Sequence, residues 1–423
     1  MRVCFVFKNN FLRTVSEKYT SIMTTTQPLS DRVLRMEESA TIRMAQLARD
    51  LAAKGKDVIS LSLGEPDFDT PDHIKEAAKQ ALDNGYTKYT PVPGLIEYRE
   101  AIVRKFKRDN GLDFKLNQIV VSNGAKQTIN NLFMALCNEG DEVIVLAPFW
   151  VSYSAIIELA GGVPVIVRAG IEQDFKVSAQ QVKDAITDRT KALIFSSPCN
   201  PTGSVYLKEE LQAIADTVAA ADNEIVIISD EIYEHINFTD KHASIGTFEN
   251  VKNQTVTVNG MAKGFAMTGW RLGYMGGPAW LAAACAKLQS QSTSGATAFG
   301  QKAAAVALDS DLGPTRRMKE AFVKRRDLVI EGLSKIPGFK VNNPKGAFYI
   351  FPDISAYFGK SDGEVTIQNS DDFCEYLLAN AYVACVAGSA FGADECMRIS
   401  YAASEEQLKE AIKRIDQAVR RLK

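Results

Sequence analysis

Three stretches of this sequence carry side chains of a kind that does chemistry in concert. An asparagine stands in Ser196-Ser197-Pro198-Cys199-Asn200-Pro201-Thr202-Gly203, and an acid and a phenol share the spacing Asp230-Glu231-Ile232-Tyr233. Lys263 follows Asn259-Gly260-Met261-Ala262, and Arg271 comes eight positions later, 271 − 263 = 8. A primary amine condenses with an aldehyde, a carboxylate holds a proton on a ring nitrogen, and a guanidinium forks onto a phosphate. Taken singly, each has a plainer reading: Asn-Pro-Thr-Gly as a turn, Asp230 as a helix cap, Lys263 as a solvated charge. Yet each stretch directly follows a β-branched apolar run, at 192–195, 225–228 and 255–258. Ligands collect at the carboxyl ends of strands in open parallel sheets. An amine, an acid and a guanidinium gathered there are what pyridoxal phosphate (PLP) requires.

The elements that must position these residues are legible as a rhythm. Apolar runs at 58–61, 119–121, 143–146, 163–167, 192–195, 225–228 and 255–258 alternate with amphipathic stretches, the pattern of strands separated by helices. Thr70-Pro71 reads as the N-cap and first position of a helix. Its apolar residues Ile74, Ala77, Ala78, Ala81 and Leu82 keep helical spacing up to Asn84-Gly85. Ser178-x-x-Gln181 and Ser404-x-x-Gln407 have the form of capping boxes. Beyond the second, Leu408, Ala411, Ile412, Ile415, Ala418, Val419 and Leu422 make one apolar stripe. The alternation predicts an α/β fold with a mainly parallel sheet covered by helices. Past residue 315 the rhythm changes to long charged helices and isolated runs such as Ala347-Phe348-Tyr349-Ile350-Phe351, so a smaller α+β domain is expected. The turn Ser122-Asn123-Gly124-Ala125-Lys126-Gln127 leads into a helical pattern from Thr128 to Leu136. Its free N–H groups suit phosphate, but taken alone the turn is a weak signal that an ordinary capped helix explains better. Neither G-x-G-x-x-G nor G-x-x-x-x-G-K-[ST] occurs.

Composition removes other classes. The chain has 423 residues, 46% hydrophobic and 24% charged, and its net charge is 49 − 51 = −2. At about 150 residues per domain this allows nearly three units. Near-neutrality argues against an electrostatic nucleic-acid binder. No run reaches the roughly 18 apolar residues of a membrane span; the Ala-rich run from Trp280 is cut by Lys287. Seven scattered cysteines without a C-x-x-C pair fit reduced thiols and a cytoplasmic location. His73, His235 and His242, the only three histidines, show no ligand spacing, and no metal site is expected. Residues 1–25 read as a disordered or non-native extension, with Met23 a plausible alternative start.

The run Gly260-Met261-Ala262-Lys263-Gly264-Phe265-Ala266-Met267-Thr268-Gly269-Trp270-Arg271-Leu272-Gly273 resembles the lysine signature of class I aminotransferases. Ser229-Asp230-Glu231-Ile232-Tyr233, Asn200-Pro201-Thr202-Gly203 and Gly64-Glu65-Pro66-Asp67-Phe68 match that family's other blocks in order, and the resemblance runs from Ser39 to Arg398. It implies the fold of type I PLP-dependent transferases. A large PLP-binding domain would cover 69–317, a small domain would combine 26–68 with 318–423, and a homodimer would share its active sites.

The resemblance also implies roles. Lys263 would hold PLP as a Schiff base and later shuttle the reacting proton. Asp230 would keep the pyridine nitrogen protonated, and Tyr233 and Asn200 would bond the ring oxygen. Trp150 would stack on the ring, its alternative being a core tryptophan. Arg271 and the backbone around Gly124 and Ala125 would hold the phosphate, joined by Tyr89 from the neighbouring subunit. Arg398 would fork onto the substrate α-carboxylate, beside Gly64, Trp150 and Asn200. Many relatives carry Ser or Thr just before the lysine or three residues before it; here those positions are Ala262 and Gly260, so a phosphate contact is missing.

Ser39-Ala40-Thr41 and Gly124-Ala125-Lys126-Gln127 resemble the prokaryotic aspartate aminotransferase subgroup, in which the matching lysine and hydroxyl residues contact the distal carboxylate. A buried Lys126 would reject neutral side chains that leave it unpaired; alternatively it stands exposed on the first turn of its helix. The implied reaction is ping-pong transfer from L-aspartate to 2-oxoglutarate, giving oxaloacetate and L-glutamate. Alternatives are a bifunctional aspartate/prephenate enzyme, an aromatic or alanine specificity, and a PLP-binding regulator without turnover.

Overall fold

The apolar runs become strands at the places their β-branched residues predict. The computed structural model describes residues 28–239 and 241–423; the expected extension over 1–25, with Met23, lies outside them. Seven strands fall on the seven runs: β1 (Ile59–Ser60), β2 (Ile119–Ser122), β3 (Glu142–Ala147), β4 (Val163–Arg168), β5 (Thr190–Ser196), β6 (Val226–Asp230) and β7 (Thr255–Gly260). Then come β8 (Gly273–Gly276), β9 (Tyr349–Ile350), β10 (Val383–Ala384), β11 (Val386–Ala387) and β12 (Met397–Ser400). Strands β2 to β8 make a seven-stranded sheet in the order β2-β8-β7-β6-β5-β3-β4. It is an α/β sheet in which β8 alone is antiparallel to its neighbours β2 and β7.

Both faces of this sheet are covered, as a parallel sheet demands. Along β3, Val143 and Val145 face Ile129 and Phe133, while Ile144 and Leu146 face Leu211 and Ile214. That is the period of two expected of a strand buried on both sides. Strand β4 lies at the edge, paired to β3 only, and is largely exposed. Pro164, which has no N–H to donate, is placed where a missing ladder bond costs least.

Two expectations need correcting. The run at 58–61 is a strand, but β1 pairs in parallel with β10 and takes no part in the large sheet. Ile59 and Leu61 pack into a cluster with Phe322, Leu377 and Leu408; alternation identifies a strand but carries no information on its partner. The helix expected from Pro71 begins at Asp72, with Pro71 in the cap position. The Thr70 hydroxyl does not cap it and donates instead to the Ala266 carbonyl at 2.6 Å. Asn84 and the left-handed Gly85 end that helix as predicted.

Both capping boxes form. Gln181 and Gln407 donate backbone N–H groups to Ser178 and Ser404 at 3.3 and 3.2 Å. The second opens the helix Glu405–Val419, whose stripe is buried at Leu408, Ala411, Ile415, Ala418 and Val419. Among the described residues, no helix is long and apolar enough to cross a membrane.

Candidate active site

The carboxyl ends of β2, β3, β5, β6 and β7 converge on a cavity of about 310 Å³, where ligands are expected in such sheets. Register brings the functional turns together: Ser196 lies beside Asp230, and Ser122 and Gly260 both flank Gly273. Ser39, Thr41, Gly64, Gly124, Ala125, Lys126, Trp150, Asn200, Asp230, Tyr233, Lys263, Arg271 and Arg398 all line this cavity. Tyr89 does not. It stands 95% exposed on a separate concavity formed by 86–90 and 293–299.

Lys263 follows β7 and donates to the Gly64 carbonyl. Burial, with Arg398 and Arg271 nearby, lowers its pKa to about 8. Only a neutral amine attacks an aldehyde, so this depression makes Lys263 reactive near neutral pH. Asp230 ends β6 and is buried. Tyr153 donates to its Oδ2 at 2.7 Å and the Ile232 N–H to its Oδ1 at 3.2 Å. Burial nevertheless raises Asp230 to about 6, because two neutral donors do not replace a counter-cation. A protonated ring nitrogen supplies that cation, so the donor set fits PLP.

The end of the cavity beside Arg271 is built from backbone proximity. Gly124 is left-handed at φ 82°, and a Cβ there would lie 2.5 Å from Arg271 Nη2. A Cβ on Gly273 would lie 2.2 Å from the Ala125 nitrogen. Two glycines thus let the Arg271 guanidinium lie against the first turn of the helix Ala125–Leu136, whose free N–H groups favour an anion. Arg271 Nη1 is steadied by the Thr268 carbonyl at 2.9 Å.

At the opposite end Arg398, on β12, is only 2% exposed. Nη1 donates to Asn200 Oδ1 at 2.9 Å and Nη2 to the Ser62 carbonyl. Its Nε has no partner, and among the described residues no carboxylate is bonded to it. A desolvated cation with neutral partners is a receptor for an anion. Trp150 is partly buried, edge-on to Tyr153 with ring centres 5.5 Å apart. Lys126 departs from the buried position expected of it: it is exposed on the first helical turn, with Nζ 5.0 Å from the Trp150 ring centre. It is a cation at the mouth of the cavity, because a helix's first turn faces the opening that its N–H groups serve.

The sequence model of the family described as aminotransferase class I and II matches residues 56–415. The chain belongs to this family. An aspartate aminotransferase of Bacillus sp. (strain YM-2) is 46% identical over 394 residues, covering 93% of this chain and 99% of the relative. An aspartate/prephenate aminotransferase of Cereibacter sphaeroides is 47% identical over 390 residues, covering 92% and 97%. The crystal structure of an aspartate aminotransferase from Rhizobium meliloti superposes with a TM-score of 0.90 at 40% identity, covering 94% of this chain and all of that one.

Sequence reasoning missed several side chains in and around this aminotransferase's cavity. Tyr349 lies inside a run read only as a strand, yet its hydroxyl is 2.7 Å from that of Tyr233. Tyr153 falls in a helix, where nothing local reveals that it reaches Asp230. Glu65 accepts from Thr268, joining two signature blocks. In an apolar strand, a phenol is the one available signal.

Behind the cavity the same segment carries a second, opposite-facing set. Glu231 and Glu234 turn away from Asp230 and Tyr233 into a buried cluster with Lys105, Asn110, Ser244 and His242. Glu231, Glu234 and His242 bring ligand-type atoms within 4.8 Å of one another, a grouping that chain spacing does not reveal. Lys105 serves as its internal cation, paired with Glu234 and donating to Asn110 Oδ1 at 2.7 Å. Burial alone would raise Glu234, but the Lys105 ammonium holds it well below the usual carboxylate range. That stabilisation is present at neutral pH and is lost as acid protonates Glu234 through its depressed folded pKa. Lys105→Met should therefore cost about 3–5 kcal/mol by leaving a buried charge unpaired. Lys105→Met/Glu234→Gln should recover most of that loss, as read by melting temperature; equal loss in both variants would show that the pairing is not the cause.

Proposed function

We propose that this chain is a PLP-dependent aspartate aminotransferase, moving the amino group of L-aspartate to 2-oxoglutarate in two half-reactions that release oxaloacetate and L-glutamate. The observation that carries the reading is the placement of three charges around one amine: Arg398 buried at one end, Asp230 beneath the floor, and Lys126 at the mouth. A dicarboxylate with an amino group between its ends meets two cations there, whereas an apolar amino acid meets one.

Bound PLP would supply an aldehyde carbon and an electron-withdrawing ring. Lys263 provides the amine that anchors it and, once released, the base for the substrate Cα proton. Asp230 keeps the ring nitrogen protonated. Asn200 gives its oxygen to Arg398, leaving its amide N–H to join Tyr233 on the ring oxygen. Trp150 would cover the ring, and Arg271 with the Gly124–Ala125 backbone would hold the phosphate without a hydroxyl at Ala262. The exposed Tyr89 suits a contact with the phosphate of a second subunit, so we read the enzyme as a homodimer. Residues 28–68 and 318–423 would form its small domain and 69–317 its large one, a division supported by the packing of Met44 and Leu61 with Phe322 and Leu408 in a cluster that Ile232, Tyr233 and Ile236 join from the large one. The described cysteines are free thiols, in keeping with a cytoplasmic enzyme.

The purified protein with PLP, offered aspartate, phenylalanine, alanine, or glutamate with prephenate, tests the reading through keto-acid release. Comparable turnover of alanine and aspartate would defeat the dicarboxylate claim, and no turnover despite bound cofactor would mark a regulator. Prephenate is the second reading: the Cereibacter relative carries that substrate in its name, and Lys126 at an open mouth leaves room for a bulkier distal carboxylate. Lys126→Ala should lower kcat/KM for aspartate by about tenfold or more, a charge-assisted hydrogen bond contributing ~1.5–3 kcal/mol. Phenylalanine turnover should change little; equal losses would mean that Lys126 does not choose the substrate.

A further inference from the structure

Thr70 stands where a helix cap belongs and serves a different segment. Pro71 follows it and holds its backbone extended. Its β-branched side chain has little freedom about χ1, so the hydroxyl sits on a rigid post. It donates to the Ala266 carbonyl at 2.6 Å and accepts from the Trp270 indole Nε1 at 3.1 Å, partners 196 and 200 residues further along the chain. Both belong to the loop joining β7 to β8, which carries Lys263 near its start and Arg271 near its end. Ala266 (φ 51°) and Arg271 (φ 54°) are left-handed although neither is glycine, a conformation that persists only where the surroundings enforce it. Thr70 bonds the first of them and the immediate neighbour of the second. Other bonds hold one half of the loop each. Thr315 donates to the Gly264 carbonyl at 2.7 Å, and the Thr268 carbonyl steadies Arg271.

We propose that Thr70 is a positioning residue that fixes the spacing between the Lys263 amine and the Arg271 guanidinium, so that one rigid ligand bearing an aldehyde and a phosphate reaches both at once. The inference rests on the PLP reading above. A ligand held at two ends gains because its second attachment is intramolecular, and the gain disappears when the two receptors no longer match its span. A displacement of about 1 Å can cost ~10²-fold. Without the Thr70 hydroxyl, the Ala266 carbonyl and the Trp270 N–H lose their shared partner, and the two left-handed residues relax independently. The amine and the guanidinium remain, each able to bind by itself, because Thr70 bonds to neither side chain. Only their separation is released.

The experiment measures three affinities of the cofactor-free protein by equilibrium dialysis. These are for PLP, for pyridoxal, which lacks the phosphate, and for PLP in a Lys263→Ala background, where no covalent link can form. Thr70→Val keeps the branched shape and removes the hydroxyl. It should weaken PLP binding at least tenfold and leave pyridoxal binding within twofold of the parent. Added to Lys263→Ala, it should weaken PLP binding no more than twofold further, because a one-ended ligand does not sense the spacing. Thr70→Ser, which retains the hydroxyl, should stay within threefold of the parent for PLP. Trp270→Phe removes one of the two bonds from the loop side and should likewise weaken PLP more than pyridoxal. Unchanged PLP affinity in Thr70→Val and Trp270→Phe, or equal losses of PLP and pyridoxal, would overturn the proposal while leaving the aminotransferase reading intact. Absence of PLP binding by the unaltered protein would overturn both.

Discussion

Lys263→Ala will leave PLP without covalent attachment and lower transamination by at least about 10³-fold, the combined loss of the anchoring nucleophile and the proton carrier. The fold should not suffer. The substitution takes a partly desolvated ammonium out of a pocket where burial, with Arg398 and Arg271, depresses its pKa, so the cofactor-free melting temperature should stay within a few degrees of the parent. The decisive measurement is reduction of the loaded, unaltered protein with borohydride followed by peptide mapping. The tag belongs on position 263; a tag elsewhere, or none, removes the basis of the proposed chemistry. The pH dependence follows from the same group. With its pKa lowered to about 8, the rate of cofactor loading should rise as pH increases towards that value and then level off. A free lysine at its ordinary pKa would keep climbing.

Arg398→Met should be the second most damaging change, lowering kcat/KM about 10²–10⁴-fold through loss of two charge-assisted hydrogen bonds to the substrate carboxylate. Methionine keeps apolar contact with Tyr349 and Phe391, whose ring centres lie 4.6 and 4.9 Å from the guanidinium carbon. Aspartate and phenylalanine should lose turnover alike, because both present an α-carboxylate. That uniform loss separates Arg398 from Lys126, whose removal should be felt by the dicarboxylate. Arg398→Lys should recover little, since one ammonium cannot reproduce the planar fork that also engages Asn200 and Ser62. A donor-selective loss in Arg398→Met would reassign this residue to the distal group.

Most of the large sheet was readable from the chain because its strands are buried on both faces and hence continuously apolar. Strand β8 escaped notice: Gly273-Tyr274-Met275-Gly276 is short and glycine-flanked, and its strand character comes from lying between β2 and β7. The residues proposed for catalysis were readable for a related reason. Asp230 ends its strand and Asn200 and Lys263 follow theirs within four residues, so position along the chain and position in space coincide. Tyr153, Tyr349 and the Lys105–Glu234 pair follow no such rule. They are joined through contacts more than 75 residues apart in sequence, and pattern in a local window says nothing about such distances.

The sequence by itself therefore determined the α/β alternation and the turns that carry Asp230, Lys263 and Arg271 into one cavity, because strand periodicity and residue type are local properties. Only the tertiary structure decided that β1 leaves the main sheet for β10, that Lys126 stands at the mouth instead of inside, and that the Thr70 hydroxyl turns from its own helix to the Ala266 carbonyl. Those outcomes depend on which apolar faces find each other and how far each side chain is withdrawn from water. Both are set by packing across the whole chain.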